Sequence, residues 1–285
     1  MLRNTFCHIP GIGPKSEYNL WSKGILCWQD LIARSRVESS QERLNFLKRR
    51  IDESVAHLED NNPRYFAESL SSNHHWRLFP EFRDAVAYLD IETTGFATSV
   101  NYITTIALYD GTSVRYYVKG QNLEKFVKDV SRFKVLVTYN GRCFDVPFIE
   151  NYFRIKMHHV QIDLRYVLHS LGYRGGLKGC EKALGLDREE LEGVDGYFAV
   201  LLWDDFRRNN NKKALETLLA YNVLDAVNLE TLMVMAYNLK LKETPFLGTH
   251  QLELPPPVKN PFKADRETVC RIASHCYGGA AGIGY

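Results

Sequence analysis

Four acids beside apolar runs are the residues of this sequence most suited to chemistry: Asp90, Glu92, Asp145 and Asp225. Asp90 and Glu92 end the run Val86-Ala87-Tyr88-Leu89-Asp90-Ile91-Glu92, which reads as a strand. Positions i and i+2 of a strand share a face, so the two acids lie together at the end of a buried element. Like charges there repel and lose hydration. Asp145 opens a helical pattern of Val146, Phe148, Ile149 and Phe153, and alone would be an ordinary acid at a helix N-terminus. Asp225 sits inside a long apolar helical run, one turn after Tyr221 on the same face. Aspartate is unfavourable in a helix interior, and exposure on the solvent face is its plain alternative. Taken together, the acids point to divalent cations. Mg²⁺ and Mn²⁺ prefer oxygen ligands and reverse the repulsion between carboxylates. Two such ions roughly 3.5–4 Å apart, sharing a bridging carboxylate, suit in-line attack at phosphorus.

The elements that must position these acids follow from the pattern around them. Strand 86–92 is followed by "NYITTIALYD", an Asp110-Gly111 turn and "SVRYYVKG", giving three strands in succession with a hairpin between the last two. "LEKFVKDVSRF" reads as a helix, "KVLVTYN" as a strand and "DVPFIENYFRI" as a helix, before a short apolar stretch reaches Asp163. Several helices follow, the last being "KKALETLLAYNVLDAVNLETLMVMAYNL". Antiparallel strands followed by strands alternating with helices predict an α/β fold with a mixed sheet flanked by helices.

Four segments result. Residues 1–36 are a compact block with Gly, Pro and Trp punctuation, and 37–84 are a charged helical connector whose main helix stops at Asn61-Asn62-Pro63. Residues 85–240 hold the sheet. Residues 241–285 begin with the strap "ELPPPVKNPF", continue into a short helix capped by Asp265, and end in the small residues of "YGGAAGIGY". The 285 residues carry a formal charge of +2, so any nucleic-acid surface must be a local basic patch. Cys7, Cys27, Cys143, Cys180, Cys270 and Cys276 lack C-x-x-C pairing and read as reduced thiols of a cytoplasmic protein. A metal site at Cys270, His275 and Cys276 lacks the usual ligand spacing. The first residues have no secretory-signal pattern, and no apolar run approaches a membrane span, so no membrane partner is expected.

"YLDIETTGF", "YNGRCFDVPF" and "YNVLDAVNL" resemble the three ordered exonuclease motifs of the DEDD (DnaQ-like) superfamily. "GGLKGCEKALGL" and "VQIDLRYVL" narrow the resemblance to its YprB-like group. The resemblance implies a ribonuclease H-like fold over 85–240 and a metal-dependent 3′–5′ exonuclease of DNA or RNA working with two Mg²⁺ or Mn²⁺ ions. It implies that Asp90, Glu92 and Asp225 hold the first ion, Asp90 bridging to the second, with Asp145 acting at the second. Tyr221, four residues before Asp225, marks the tyrosine type of the superfamily; a packed aromatic is its plain alternative. With an unperturbed pKa near ~10, Tyr221 is a poor base at neutral pH. Thr93, Thr94 and Gly95 would meet the substrate's end, while Asn140 and Phe144 would meet sugar and terminal base. Asp163 is expected to orient a neighbour or to cap the helix starting at Leu164. Two alternatives remain: a nucleic-acid-binding protein with a vestigial site, and a structure-selective endonuclease.

"IPGIGPKSEYNLWSKGILCWQDLI" resembles a helix–hairpin–helix module. That resemblance implies that Gly11 and Gly13 present backbone N–H groups to phosphate, with Lys15 adding charge and Pro14 in the first helical turn. Ile12, Leu20, Trp21, Ile25 and Leu31 would form its small core. Only Met1–Ile9 precede the hairpin, which leaves a very short first helix. A Gly-Pro turn in a small packing domain is the competing reading.

Overall fold

β-Branched and aromatic residues fill the run from Val86, and the sheet grows around it. In the computed structural model, residues 1–96, 100–188, 191 and 194–277 are described, the last three without side chains. Strands β1 (Val86–Thr93), β2 (Ile103–Tyr109), β3 (Val114–Val118), β4 (Val135–Thr138) and β5 (Val160–Asp163) form one five-stranded sheet in the order β3-β2-β1-β4-β5. β1, β2 and β3 pair antiparallel, whereas β1–β4 and β4–β5 pair parallel. This is the expected mixed sheet, and its strands read as nearly continuous apolar runs because both faces are covered.

The pleat sorts those runs. Val86, Tyr88, Val135, Val137 and Ile162 pack in a core shared with the N-terminal helices and the long helix. Ala87, Leu89, Ile91, Ile106 and Leu136 pack on the other face. Helices in the first part of the chain are α1 (Pro14–Ser22), α2 (Trp28–Glu38), α3 (Gln41–Glu59), α4 (Pro63–Ser69) and α5 (Phe79–Phe82). Inside and beyond the sheet come α6 (Lys125–Val130), α7 (Asp145–Phe153), α8 (Leu164–Ser170), α9 (Gly176–Ala183), α10 (Gly196–Asn209), α11 (Lys212–Leu241), α12 (Leu247–His250) and α13 (Arg266–Tyr277).

The N-terminal helices are tied to the long helix and the segment after it by rings, and to one another by a buried ion pair. Trp76 meets Tyr237 of α11 at 5.6 Å, and Trp21 meets Phe246 at 5.4 Å. Glu17 is 1 % exposed and accepts from the N–H groups of Phe6 and Cys7 and from Arg77 Nη1 at 2.7 Å. The expected short first helix is a 3-10 turn, Leu2–Asn4. Ile12, Trp21, Ile25 and Leu31 are buried as expected, with Leu20 partly so.

One expectation is corrected. α11 is long and apolar enough to cross a membrane by length and composition, although 78 % of its most apolar window is buried inside the fold. It is the central core helix, apolar on nearly every side because it is surrounded. The strap after it lies along α11: Asn260 Nδ2 donates to Ala220 O at 2.7 Å, and Asp265 N to Thr217 Oγ1 at 2.9 Å. Asp265 accepts from Thr268 N at the start of α13, as expected of a cap. The side chains of His275 and Cys276, and residues 278–285 of the tail, lie outside the described residues.

Candidate functional site

β1 delivers the first two acids. Its register pairs Asp90 with Ala107 and Glu92 with Thr105, then slips so that Thr93 meets Ile103. Because Val86 and Tyr88 lie on the α11 face, the pleat sends Asp90 and Glu92 the same way. Asp225 comes from α11. One carboxylate oxygen each from Asp90, Glu92 and Asp225 lie within 4.8 Å of one another. Glu92 and Asp225 are buried and Asp90 is half-buried, so the cluster opens toward solvent at Asp90.

Asp145 reaches the strand from the N-terminus of α7. It is buried, and its Oδ1 accepts from Ile91 N, between the paired acids, at 3.2 Å. It stands beside the three-acid cluster with this oxygen turned to the backbone. Gly141 makes the loop before it possible: a Cβ there would lie 2.4 Å from Thr138 Oγ1. The same loop is held by Asp163, which accepts from the N–H groups of Asn140 (2.8 Å), Arg142 (3.2 Å) and Arg165 (3.0 Å), the last as cap of α8.

The acids repel, and the electrostatics show it. Burial, then Asp225, Glu92 and Asp145, hold the Asp90 carboxyl well above its usual range. Burial, then Asp225 and Asp145, do the same to Glu92. Burial pushes Asp145 up to about 7, against the pull of its backbone hydrogen bonds. Burial also raises Asp225, although Arg188 draws it down. Tyr221 is raised by burial and then by Asp225 and Glu92, so its hydroxyl stays protonated. From one helical turn away it draws the Asp225 carboxyl down, as their spacing implies.

Several contacts here escaped the sequence reading. Asn222 Nδ2 donates to Asp90 Oδ2 at 2.6 Å and to Asp90 O at 3.2 Å. Arg188 spans Asp225 Oδ1 and Glu181 Oε2, both at 2.5 Å, and Asn228 Nδ2 donates to Glu181 Oε1 at 2.8 Å. Although burial opposes its charge, Asp225 and Glu181 hold the Arg188 guanidinium well above its ordinary pKa. Lys178 Nζ stands 4.7 Å over the Tyr221 ring, its pKa lowered by burial. No spacing rule joins these residues. The nearest signal was the helical heptad of Asn222, Asp225 and Asn228, polar positions on an apolar helix.

A hard divalent cation fits this pocket. The donors are all oxygen, two of the three carboxylates are buried, and Asn222 Oδ1 is buried beside them with no hydrogen-bond partner. Residues 87–237, just over half the chain, match the RNase_H_2 family model of the RNase_H superfamily. The chain belongs to the RNase H superfamily. Apart from Val86, its sheet falls within the matched residues, as does its three-acid cluster. No curated protein matches the sequence. Among solved structures, it is similar to the family B DNA polymerase of the hyperthermophilic archaeon Pyrobaculum calidifontis. The identity is 14 % and the TM-score 0.36, over 55 % of this chain and 29 % of the polymerase.

Of the remaining expected residues of this RNase H superfamily chain, Thr93, Thr94 and Gly95 directly follow Glu92, and Phe144 directly precedes Asp145. Thr93 Oγ1 donates to Gly95 O at 2.8 Å, and Thr94 Oγ1 to Asn101 Oδ1 at 3.1 Å, so both hydroxyls brace the turn after β1. Asn140 takes a positive φ of 65°, and its Oδ1 accepts from Arg165 at 2.5 Å. Phe144 is half-buried next to Asp145, its ring 6.0 Å from that of exposed Phe96. Gly11, Gly13 and Lys15 are exposed where α1 begins, with Gly11 at φ +87° and Gly13 as the residue before Pro14.

Proposed function

We propose that this chain is a divalent-metal-dependent 3′–5′ exonuclease of the tyrosine-type DEDD class, YprB-like, acting on nucleic acid. The meeting of Asp90, Glu92 and Asp225 within 4.8 Å is the observation that carries the reading. These three would hold one ion, and Asp90 with Asp145 would hold the second. Bound there, Mg²⁺ or Mn²⁺ supplies Lewis-acid activation of water and charge neutralisation at phosphorus.

The chain's own groups do the positioning. Asn222 fixes the Asp90 carboxylate through two hydrogen bonds. Tyr221, protonated and one helical turn from Asp225, can orient a water by hydrogen bonding and cannot serve as its base. Lys178, above the same ring, places a positive charge next to the acids where a phosphate would arrive. Phe144 beside Asp145 offers a face for a terminal base, and Thr93, Thr94, Gly95 and Asn140 shape the backbone near it.

The test uses 3′- and 5′-labelled single- and double-stranded DNA and RNA with Mn²⁺, Mg²⁺ or EDTA. The expected result is a ladder shortened from the 3′ end that requires metal. It should disappear in Asp90→Asn and Asp225→Asn while these variants keep the fold and bind the oligonucleotide. Cleavage retained by pure Asp225→Asn protein would overturn the assignment. Internal cuts would replace it with an endonuclease. Absence of Mn²⁺ uptake and of cleavage would leave a binding protein with a vestigial site.

A further inference from the structure

The chain's formal charge is only +2, yet cations gather along edge strand β5. A groove of about 550 Å³ near the α3–α4 turn continues into one of about 260 Å³ along β5, the two sharing Arg64, His158, His159 and Val160. Lys134, Lys156, Arg64 and Arg142 face Asp60 and Glu68 across it, four cations against two anions. The lining therefore carries as much net positive charge as the whole chain. The counter-ions of Arg64 and Lys156 are weak ones. Arg64–Glu68 is an exposed pair, and Lys156 is itself exposed opposite a half-buried Glu150, so both cations are held weakly in water and readily exchanged for phosphate.

Position makes the groove more than a basic patch. Arg142 forms its upper end, in the loop leading into α7 and Asp145, and its backbone N–H is fixed by Asp163. Lys134 forms the other end, just before β4, and its Nζ donates to Asn61 O at 2.5 Å. Between them runs β4, roughly 13 Å of strand. The floor is apolar and recessed, with Met157 and Val160 buried and His159 half-buried.

We propose that this groove holds the sugar–phosphate backbone of a single strand leading to the acids, so that the strand runs along β5 with its 3′ end at Asp90. This deepens the nuclease reading and rests on it for the polarity of the strand. The experiment is fluorescence anisotropy of the full chain with labelled oligothymidine 20-mer and with a labelled thymidine trinucleotide, in EDTA across a salt series. Arg142→Ala with Lys156→Ala removes two phosphate partners, each worth ~0.7 in the slope of log K against log salt. The 20-mer should therefore bind about 25-fold more weakly at 0.1 M salt, with a slope shallower by about 1.4, while the trinucleotide is unchanged. The exposed pair Arg208→Ala with Lys212→Ala, at the end of α10 and the start of α11, should leave both alone. Unfolding curves establish that the variants are folded.

Equal 20-mer affinity and slope in wild type and the Arg142/Lys156 variant would refute the groove, as would no 20-mer binding by wild type. Tighter binding of a 20-base-pair duplex, equally sensitive to the variant, would refute the single-strand assignment. A chain that binds the 20-mer through these residues yet cuts nothing with Mn²⁺ would refute the nuclease reading and leave the groove standing.

Discussion

Replacing Glu92 by Gln deletes one charge at constant size, and the geometry fixes the sign of the result. In metal-free protein, Glu92 has its carboxylate within 4.8 Å of those of Asp90 and Asp225. Burial, then Asp225 and Asp145, hold its pKa well up. An acid whose folded pKa is raised costs nothing below the unfolded value near ~4.3, and destabilises progressively as pH rises through the folded value. One fully ionised pair at that separation repels by about 3.5 kcal/mol at an effective dielectric of ~20. Taking up a proton caps the cost at about 5 kcal/mol at pH 8. Lys178 and Arg188 relieve part of it.

Glu92→Gln is therefore expected to be about 2–3 kcal/mol more stable than wild type in EDTA at pH 8, a rise of roughly 4–12 °C in Tm. The gain should vanish near pH 4. Mn²⁺ should narrow that gap, because wild type gains about 2.7 kcal/mol at a hundredfold excess of ion over Kd and the variant gains less. Denaturant unfolding at the two pH values, with EDTA or Mn²⁺, measures all three effects. If Glu92→Gln is the less stable protein in EDTA at pH 8, or if Mn²⁺ stabilises both proteins equally, the acids are not a mutually repelling metal cluster.

Two further outcomes are expected. Tyr221→Phe should lower kcat about 10²-fold with KM little changed, because it removes an orienting hydroxyl and no charge; steady-state kinetics on a labelled oligonucleotide decide this, and an unchanged kcat would leave the ring as packing alone. His8 is 2 % exposed and its pKa is lowered to about 3 by burial, then by Arg50 and Arg77. Its stability contribution is complete above an unfolded value near ~6.5 and is lost as pH falls toward the folded value, by up to about 5 kcal/mol. His8→Gln should flatten that acid limb between pH 6.5 and 3 relative to wild type in urea titrations, and an identical limb in both proteins would exclude His8 as its origin.

The sequence by itself determined the local chemistry. Period-two spacing placed Asp90 and Glu92 on one strand face, and helical spacing set Tyr221 and Asp225 one turn apart. Both held because such relations depend on a few adjacent dihedrals. Apolar runs separated by Asp110-Gly111 and by helical patterns likewise announced a mixed sheet. Tertiary structure alone decided what stands opposite these residues. Asn222 reaches Asp90 across 132 residues, and Arg188 joins Asp225 to Glu181 from a loop with no regular pattern. Asp145 sits against Ile91 N–H because a parallel sheet set β4 beside β1. The basic groove is assembled from α4, the start of β4, the loop before α7 and the turn before β5, whose cations are scattered along the chain. α11 shows the limit most plainly: its composition would suit a bilayer, and only its neighbours make it a core helix. Periodicity reports which side a residue faces, and packing of distant segments determines what it finds there.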